Sequence, residues 1–295
     1  MTGAVLRAEV PEWRSILFVP ADQPRFIDKA HLRGADAIQL DLEDAVAPAG
    51  KPAARAALPG AIAQLAGHGV PVVVRINRAW RDAMADLDAA VRPGVRAITL
   101  PKVEDAGRVR ALDEAMGEFE AERGLPVGGI GLLLLIESPA ALPLLHDLAG
   151  ASPRVVAMTL GPEDYSLAAG CSTDAPALLG PNLAVAQACA AKGLLPLGFV
   201  GSIGDFSDLA AFRLKIEQAR QLGFRGAAVI HPAQVEILNR GFGPSADELS
   251  WAARVVEAAA AAGEGAFQLD GRMIDRPIVM RAQRWLRQAR QGARS

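Results

Sequence analysis

A run of aliphatic residues that ends in a carboxylate constrains the fold of this chain more than any other stretch. Residues 129–139 read Gly-Ile-Gly-Leu-Leu-Leu-Leu-Ile-Glu-Ser-Pro, without alternation of polar and apolar side chains. Such a run favours a strand covered on both faces, as in a parallel sheet wrapped by helices. Glu137 then follows the strand at its C-terminal end, where these sheets and barrels place ligands and catalytic groups. Taken alone, Glu137 is better explained as a loop residue or as an acid that starts the next helix.

Short apolar segments of this kind alternate with longer helical patterns through most of the chain. The predicted strands span residues 15–20, 37–42, 70–76, 97–101, the run described above, 155–160, 194–200 and 227–230. The predicted helices between them span residues 24–33, 52–67, 81–91, 104–123, 140–148, 183–192 and 209–222. Eight strands, each followed by a helix, predict an α/β fold, a parallel (β/α)8 or TIM barrel over residues 1–243. An open doubly wound sheet is the alternative, although no G-x-G-x-x-G motif opens a helix.

The remaining residues, 244–295, predict a separate C-terminal extension. A helix is expected over residues 247–262, with Ser245 as its N-cap and Glu248 in the capping-box position. Residues 267–275 follow as a short extended pair, and Pro277 opens a last, arginine-rich helix. This extension has too little apolar surface to fold alone, so we expect it to dock on its own barrel or on a neighbouring subunit.

Composition excludes several classes of function. Hydrophobic residues make up 51% of the 295 residues and the net charge is −2, which indicates a globular protein without a nucleic-acid surface. No window reaches the length of a membrane span, and residues 1–10 resemble neither a signal nor a transit peptide, so a cytoplasmic location is expected. Cys171 and Cys189 have neither metal-site nor disulfide-framework spacing, and packing roles are predicted for both.

Two carboxylates at neighbouring strand ends predict a metal site. Asp164 follows the sixth strand, 27 residues after Glu137 and one strand-helix repeat later. Adjacent barrel strands bring both to the same mouth, where an oxygen-only pair without histidine or cysteine suits Mg²⁺. The alternative for Asp164 is a cap on the helix that follows.

Two basic residues stand at equivalent places on other strands. Arg75 interrupts the apolar third strand at its C-terminal end, so it needs a partner or a ligand. A salt bridge to Glu43 or Asp44 is the structural explanation, and those acids are equally suited to hold metal-bound water. Lys102 follows the fourth strand; a Schiff-base role is conceivable, but a surface ion pair is the commoner outcome.

At this point eight segments together carry a resemblance to a known family. They are Arg14-Ser-Ile-Leu-Phe-Val-Pro20, Asp41-Leu-Glu-Asp-Ala-Val46, Val74-Arg-Ile-Asn77, Leu100-Pro-Lys-Val-Glu104, Ile136-Glu-Ser-Pro139, Gly161-Pro-Glu-Asp164, Ile230-His-Pro232 and Gly271-Arg-Met-Ile-Asp-Arg-Pro277. In order and spacing they resemble the citrate lyase β-subunit-like (HpcH/HpaI aldolase/citrate lyase) family. The resemblance implies a TIM barrel of the phosphoenolpyruvate/pyruvate superfamily, usually trimeric or hexameric. It also implies action on CoA thioesters of malyl, citramalyl, citryl or related acids, with a small 2-oxo acid as partner.

The resemblance also assigns roles position by position. Glu137 and Asp164 match the Mg²⁺ ligands, and Arg75 is similar to the arginine that contacts the carbonyl or thioester oxygen of the substrate. Asp275 resembles the catalytic acid/base that the C-terminal segment of an adjacent subunit delivers. Positions that resemble CoA contacts are Arg25, Lys29, Ala228 and Val229.

Three activities remain open on this basis. The first is a Mg²⁺-dependent carbon–carbon lyase that cleaves or forms a β-hydroxyacyl-CoA through an acetyl-CoA enolate. The second is a β-hydroxyacyl-CoA thioesterase of malate-synthase type. The third is a citrate lyase β subunit that acts on an acyl-carrier-protein-bound substrate.

The chain departs from the family pattern at three places, which leaves the substrate open. Ala21 stands where the first strand usually has glycine, and Asn182 stands where an arginine is common. The seventh strand, often ended by Ile-Asp-Gly, here reads Gly198-Phe-Val-Gly201 and lacks the acid.

Overall fold

Eight parallel strands form one sheet in the computed structural model, which describes residues 8–173, 176–204, 206–263 and 265–292. They are β1 (Ser15–Pro20), β2 (Ala37–Asp41), β3 (Val72–Arg75), β4 (Val95–Leu100), β5 (Gly131–Ile136), β6 (Val155–Leu160), β7 (Leu195–Leu197) and β8 (Ala227–Val229). Strands that follow one another in the chain are neighbours from β1 to β7, and β8 pairs with β1. The predicted parallel α/β fold is confirmed.

The two ends of the sheet meet between β7 and β8. Leu197 and Gly226 form a parallel bridge, and the N–H of Gly198 donates to the carbonyl oxygen of Gly226 at 2.9 Å. A Cβ on Gly226 would lie 2.0 Å from the carbonyl oxygen of Trp13, so only glycine admits the segment that leads into β1. These contacts close the sheet into a barrel.

The barrel interior changes from apolar to polar along the strands. Its buried apolar cluster comprises Ala8, Trp13, Ile16, Ala37, Val73, Ala97, Leu133, Val156, Ala157, Leu195 and Leu197. Alanines from β2, β4 and β6 thus pack between larger side chains from β1, β3 and β5, which fills the interior without overcrowding. Two residues further along β2 and β4, the hydroxyl of Thr99 donates to Oε1 of Gln39 at 2.7 Å. Side chains two residues apart on a strand share a face. The side chains two positions after Gln39 and Thr99 therefore also point inward and lie at the C-terminal mouth of the barrel.

Helices follow the strands around the outside of the sheet. They are α1 (Pro24–Ala30), α2 (Lys51–Gly67), α3 (Trp80–Ala90), α4 (Ala106–Glu122), α5 (Leu145–Ala149), α6 (Pro162–Ala169), α7 (Leu179–Lys192), α8 (Leu209–Gln221) and α9 (Val235–Phe242). The predicted helices do not include α6 or α9. Within the described residues, no helix is both long and apolar enough to cross a membrane.

Two prolines change the element that follows β5. The sequence predicts one α-helix over residues 140–148, whereas the chain forms a 3₁₀ helix at Pro139–Leu144 and only then the short α5. Pro143 has no N–H to donate to the carbonyl four residues earlier, so a continuous α-helix would lose a hydrogen bond and meet a steric clash there. The short turn keeps the chain close to the end of β5.

The chain divides into two compact units between Asn239 and Arg240. The second unit contains α10 (Ala246–Ala262), an antiparallel hairpin of β9 (Phe267–Leu269) and β10 (Arg272–Ile274), and α11 (Arg276–Gly292). The predicted capping box is confirmed, since the Ser245 hydroxyl accepts from the N–H of Glu248 and the Glu248 carboxylate accepts from the N–H of Ser245. Its small core consists of Ala252, Val255, Ile274 and Ala282.

A buried ion-pair network holds the segment between α4 and β6. The two guanidinium Nη atoms of Arg154 donate to the carboxylate of Glu120 at 2.9 and 2.6 Å. The same carboxylate accepts main-chain N–H groups from Gly128 at 2.7 Å and Ile130 at 2.9 Å, directly before β5. Glu120 has no exposed surface, so each oxygen is satisfied by protein donors alone. The network therefore anchors the N-terminal end of the strand that leads to Glu137.

We expect Glu120→Ala to destabilise the barrel by about 3–5 kcal/mol, because it leaves the buried charge of Arg154 and two main-chain donors without this partner. Chemical denaturation measures the loss. Glu118→Ala, at an exposed position on the same helix, is the matched control and should change stability by less than about 0.5 kcal/mol. Equal stability of the two variants would contradict the anchoring role of Glu120.

Candidate active site

Charged residues at the ends of β2 and β3 lie side by side. Asp41 and Arg75 are register partners in the parallel ladder, so their side chains extend from adjacent strands at the same level. Nε and Nη2 of Arg75 donate to the two carboxylate oxygens of Asp41 at 2.7 and 2.6 Å. This bidentate, charge-assisted pair fixes the plane of the guanidinium.

Two further acids face Arg75. Its Nη1 lies 3.0 Å from Oε2 of Glu43 and 3.6 Å from Oδ2 of Asp44. Burial acts to lower the pKa of Arg75, but the hydrogen bond to Asp41 and the charges of Asp41, Glu43 and Asp44 outweigh it and raise the pKa. The predicted salt bridge to Glu43 is confirmed, and Asp41 is the closer partner. The hydrogen bonds to Asp41 engage two of the five N–H donors of Arg75. Nη1 is ion-paired with Glu43, but within the described residues Oε2 of Glu43 accepts no hydrogen bond, so donors remain for a substrate oxygen.

Lys102 is hydrogen-bonded both to an acid that follows β2 and to the acid that follows β5. Its Nζ donates to Oε1 of Glu43 at 2.8 Å, and its main-chain N–H donates to Oε2 of Glu137 at 2.6 Å. Lys102 makes both bonds from a left-handed backbone conformation, with φ of 51°, which is unfavourable for a non-glycine residue. The predicted ion pair of Lys102 is thus present, but it is half-buried within the site.

The carboxylate of Glu137 lies almost entirely out of solvent. It directly follows β5, and the residue is 5% exposed. Burial raises the pKa of Glu137 to about 8, with the charges of Glu43 and Asp164 adding to the effect and the Lys102 hydrogen bond opposing it. A carboxylate in this environment gains stability from a nearby cation.

Gly161 makes room for that carboxylate. It lies between β6 and α6, and its N–H donates to the carbonyl oxygen of Ile136 at 2.8 Å. A Cβ at Gly161 would lie 2.5 Å from Cγ and 2.9 Å from Oε1 of Glu137, although its φ of −90° is open to any residue. The absence of a side chain at this position is therefore a steric requirement of the Glu137 rotamer.

Asp164 completes the acidic side of the mouth. It lies in the first turn of α6, and its Oδ1 is 3.8 Å from Nζ of Lys102. Glu137 and Asp164 line one open cleft of about 370 Å³ together with Lys102, Ser138, Arg78, Glu104, Leu167 and Ala168. The structure therefore brings the two predicted metal ligands into the same cleft.

The donor set of this cleft fits a hard divalent cation. Five carboxylates (Asp41, Glu43, Asp44, Glu137 and Asp164) face two cations (Arg75 and Lys102), which leaves the cluster three negative charges in excess when all are ionised. Among the described residues, no group of three or more His, Cys, Asp or Glu is arranged to hold a metal. Two carboxylate ligands and several water or substrate oxygens are the pattern that Mg²⁺ prefers.

A second layer of polar contacts holds the loops after β2 and β3. The side-chain amide of Asn77 donates to Asp86 at 2.8 Å and to the carbonyl oxygen of Leu42 at 3.0 Å. Lys51 donates to the carbonyl oxygen of Glu43 at 3.0 Å and to the side chain of Asn77. The loop that carries Glu43 is thereby fixed to Asn77, which lies just after Arg75.

The residues predicted to contact CoA lie on adjacent strand-helix units. Arg25 and Lys29 are both exposed on α1, which follows β1, and Ala228 and Val229 lie on β8, which pairs with β1. The guanidinium carbon of Arg25 lies 4.6 Å from the centroid of the Phe26 ring. Because the Val229 side chain is buried, only its main chain is suited to touch a ligand. Their role in CoA binding stays a prediction.

Asp275 belongs to the second unit, where it precedes α11. Its carbonyl oxygen accepts from the N–H of Val279 at 3.1 Å, and its carboxylate lies 3.4 Å from the N–H of Ile278. These contacts make it the N-cap of that helix. The long side-chain contact leaves the carboxylate weakly engaged, which is compatible with the predicted acid/base role but does not test it.

Three contributors to the site are missing from the sequence prediction. Asp41 was identifiable in principle, because it ends β2 as Arg75 ends β3 and the two strands are adjacent. The left-handed conformation of Lys102 has no sequence signal, since lysine rarely adopts it. Gly161 precedes a proline and reads as an ordinary helix start.

The departures from the family pattern have local explanations. Asn182 is buried in α7 and its side-chain amide donates to the carbonyl oxygen of Leu178 at 2.9 Å. Gly198 has φ of 136° and ends β7 earlier than the predicted residue 200. Phe199 is buried and packs edge-on against Phe212, with ring centroids 5.3 Å apart. The residue directly before the position of the missing acid, which Val200 occupies here, is thus fixed by an apolar contact.

The arrangement of the site can be compared with known proteins. The model of the HpcH/HpaI aldolase/citrate lyase family matches residues 14–232. The chain belongs to this family. Aldolases and citrate lyases break or form carbon–carbon bonds, and the chain is accordingly a carbon–carbon lyase in class.

Individual relatives cover nearly the whole chain. The citrate lyase subunit beta of Haemophilus influenzae is 34% identical over 287 residues, which is 95% of this chain and 98% of the relative. The L-malyl-CoA/beta-methylmalyl-CoA lyase of Cereibacter sphaeroides is 32% identical over 302 residues and 94% of both chains. The crystal structure of protein CitE from Mycobacterium tuberculosis, in complex with magnesium, acetoacetate and coenzyme A, matches with a TM-score of 0.74 and 30% identity over 96% of this chain and 99% of that one.

We expect Gly161→Ala to lower Mg²⁺ affinity about 10- to 100-fold, because the added methyl displaces the Glu137 carboxylate without touching the ion itself. Calorimetric titration with Mg²⁺ measures the change, and electron paramagnetic resonance with Mn²⁺ in place of Mg²⁺ provides a second measurement. Gly60→Ala, where a Cβ meets nothing within 4 Å in the middle of α2, is the control and should keep wild-type affinity. Wild-type affinity in Gly161→Ala would show that the Glu137 rotamer does not govern metal binding.

Proposed function

We propose that this member of the family is a Mg²⁺-dependent lyase that cleaves or forms the carbon–carbon bond of a β-hydroxyacyl thioester, with a small 2-oxo acid as one product. The main observation behind the proposal is that Arg75, whose guanidinium is held by acidic neighbours, and the buried carboxylate of Glu137 lie at the same mouth of the barrel. Arg75 is held by Asp41 and Glu43, and Lys102 joins Glu43 to Glu137. The similarity to citrate lyase and malyl-CoA lyase supports the thioester class, and the magnesium in a related structure supports the metal.

Each residue of the cleft has a defined task in this proposal. Glu137 and Asp164 would hold Mg²⁺, which when bound supplies Lewis-acid polarisation of a hydroxyl or carbonyl oxygen. The guanidinium of Arg75 stabilises the negative oxygen of a thioester enolate with the N–H donors that Asp41 does not engage. Because Asp41 and Glu43 hold the guanidinium in place, this stabilisation requires no reorganisation during the reaction.

Proton transfer is assigned to Asp275. In the direction of bond formation its carboxylate would remove a proton from the carbon next to the thioester carbonyl, and in cleavage it would return that proton. We propose, from the family resemblance, that an adjacent subunit of a trimer or hexamer supplies it.

Chelation provides the first test. EDTA should abolish thioester cleavage, Mg²⁺ should restore it, and Glu137→Gln should remain inactive at any Mg²⁺ concentration because one of two protein ligands is lost. Glu114→Gln, at an exposed position on α4, is the control and should keep full activity. Undiminished turnover in EDTA would reject the metal assignment.

The same assay separates the possible reactions. Release of a 2-oxo acid and an acyl-CoA indicates a lyase, whereas release of a hydroxy acid and free CoA indicates a thioesterase. Cleavage only when the acyl group is on a carrier protein indicates a lyase-complex subunit, as the similarity to citrate lyase subunit beta would suggest.

Subunit mixing tests the origin of Asp275. Asp275→Asn and Arg75→Ala proteins should each lose most of their activity, by about 100-fold or more, because proton transfer and enolate stabilisation are separate requirements. When the two are unfolded together and reassembled, part of the activity should return, since some sites combine the intact residue of each protein. Absence of recovery despite proven subunit exchange would show that Asp275 acts within its own chain.

A further inference from the structure

A guanidinium lies in the cleft without a close acidic partner. Arg78 follows Arg75 by three residues, lines the same cleft as Glu137 and Asp164, and has a side chain that is 55% exposed. Within the described residues its one ion-pair contact is to Oε2 of Glu104 at 3.6 Å, which is too long for a hydrogen bond. Its N–H donors are therefore available to a ligand.

Glu104 is better held by another residue. Its Oε1 accepts a hydrogen bond of 2.5 Å from the hydroxyl of Ser138, which directly follows Glu137. An exposed ion pair of the Arg78–Glu104 type contributes little stability in water. Ser138 thus keeps Glu104 at the edge of the cleft, while the long contact leaves the Arg78 guanidinium free to engage a better acceptor.

A second guanidinium strengthens the positive charge at this rim. Arg108 stacks on the Trp80 ring, with its guanidinium carbon 4.1 Å from the ring centroid, and donates to the carbonyl oxygen of Arg78. Burial lowers the pKa of Arg108, and the nearby charge of Arg78 lowers it further. Because the two like charges repel each other, an anion placed beside them would be stabilised.

The other cations of the mouth are already engaged. Arg75 is hydrogen-bonded to Asp41 and ion-paired with Glu43, and Nζ of Lys102 is hydrogen-bonded to Glu43. A 2-oxo or 2-hydroxy acid has one carboxylate beside the oxygen that reacts, which suits the Glu137–Asp164 end of the cleft. If the acid has a second carboxylate, the Arg78 end offers it a planar fork of donors.

We propose that Arg78 is a specificity-determining residue that binds the second carboxylate of the substrate, so that the enzyme prefers dicarboxylic 2-oxo or 2-hydroxy acid units over monocarboxylic ones. This inference rests on the proposed function for the position of the first carboxylate. A cleft of about 370 Å³ is near the lower end of the range for small-molecule sites, which suits an acid of this size.

The test compares two ligands that differ only in the second carboxylate. Malate and 2-hydroxybutyrate share the 2-hydroxy acid group and the chain length, but the terminal carboxylate of malate is a methyl group in 2-hydroxybutyrate. In calorimetric titrations with Mg²⁺, wild-type protein should bind malate at least about 10-fold more tightly. Arg78→Gln should weaken malate binding about 10- to 100-fold, as expected for loss of a charged hydrogen-bonding partner, and leave 2-hydroxybutyrate within about 2-fold.

Two further variants complete the design. Arg78→Lys keeps the charge but not the planar fork, so it should retain part of the preference for malate. Arg110→Gln, at an exposed position on α4 outside the cleft, should behave as wild type. Thermal melting confirms that each variant is folded. The proposal is overturned if wild-type protein shows no preference, or if Arg78→Gln changes the affinity of both acids by the same factor.

These outcomes are separable from those of the proposed function. An Arg78-dependent preference for malate in a protein that cleaves no thioester would refute the reaction and leave the inference standing. Conversely, the protein could cleave thioesters while Arg78→Gln leaves the relative rates for dicarboxylic and monocarboxylic acyl units unchanged. That result would support the proposed reaction and refute the role of Arg78.

Discussion

Burial of charge at the barrel mouth is the constraint on which the rest of the site depends. Asp41, Glu43, Arg75 and Glu137 are all buried at the ends of β2, β3 and β5. An isolated charge in such a place would be costly, so each must have a partner. The partners come from adjacent or next-nearest strands, because a closed parallel barrel sets all strand ends at one rim. Loss of one member would leave another charge buried and unpaired, which ties the geometry of the site to the stability of the fold.

Most of the fold was predictable from periodicity. Unbroken apolar runs such as Leu132–Ile136 can be satisfied only between two layers, and their regular alternation with helices leaves few topologies. The boundaries were less predictable where proline or glycine intervenes. Pro143 converts the start of a predicted helix into a 3₁₀ turn, and Gly198 ends β7 three residues early. The closing bridge at Gly226 depends on a contact with Trp13, more than 200 residues away, for which local sequence has no signal.

The candidate site was predictable as far as strand ends could be located. Glu137, Asp164 and Arg75 were found because each places a charge at the end of an apolar strand or within the next few residues, and the structure brings them to one mouth. What escaped prediction depends on main-chain geometry. Lys102 contacts both Glu43 and Glu137 from a left-handed backbone, and Gly161 matters because an added Cβ would meet the Glu137 side chain. Neither condition is visible in residue types, since both arise from contacts between strands.

The charge balance of the mouth explains why cations are needed at its rim. The inner cluster has an excess of carboxylates, so an anionic substrate would be repelled by it in the absence of a divalent ion. One Mg²⁺ would offset two of the three excess charges counted above and leave the cluster still slightly negative. Arg78 lines the same cleft and Arg108 is hydrogen-bonded to its carbonyl oxygen, so their positive field favours the approach of an acid. Separation of an acidic inner site from a basic rim therefore lets one cleft hold both a metal ion and an acidic substrate.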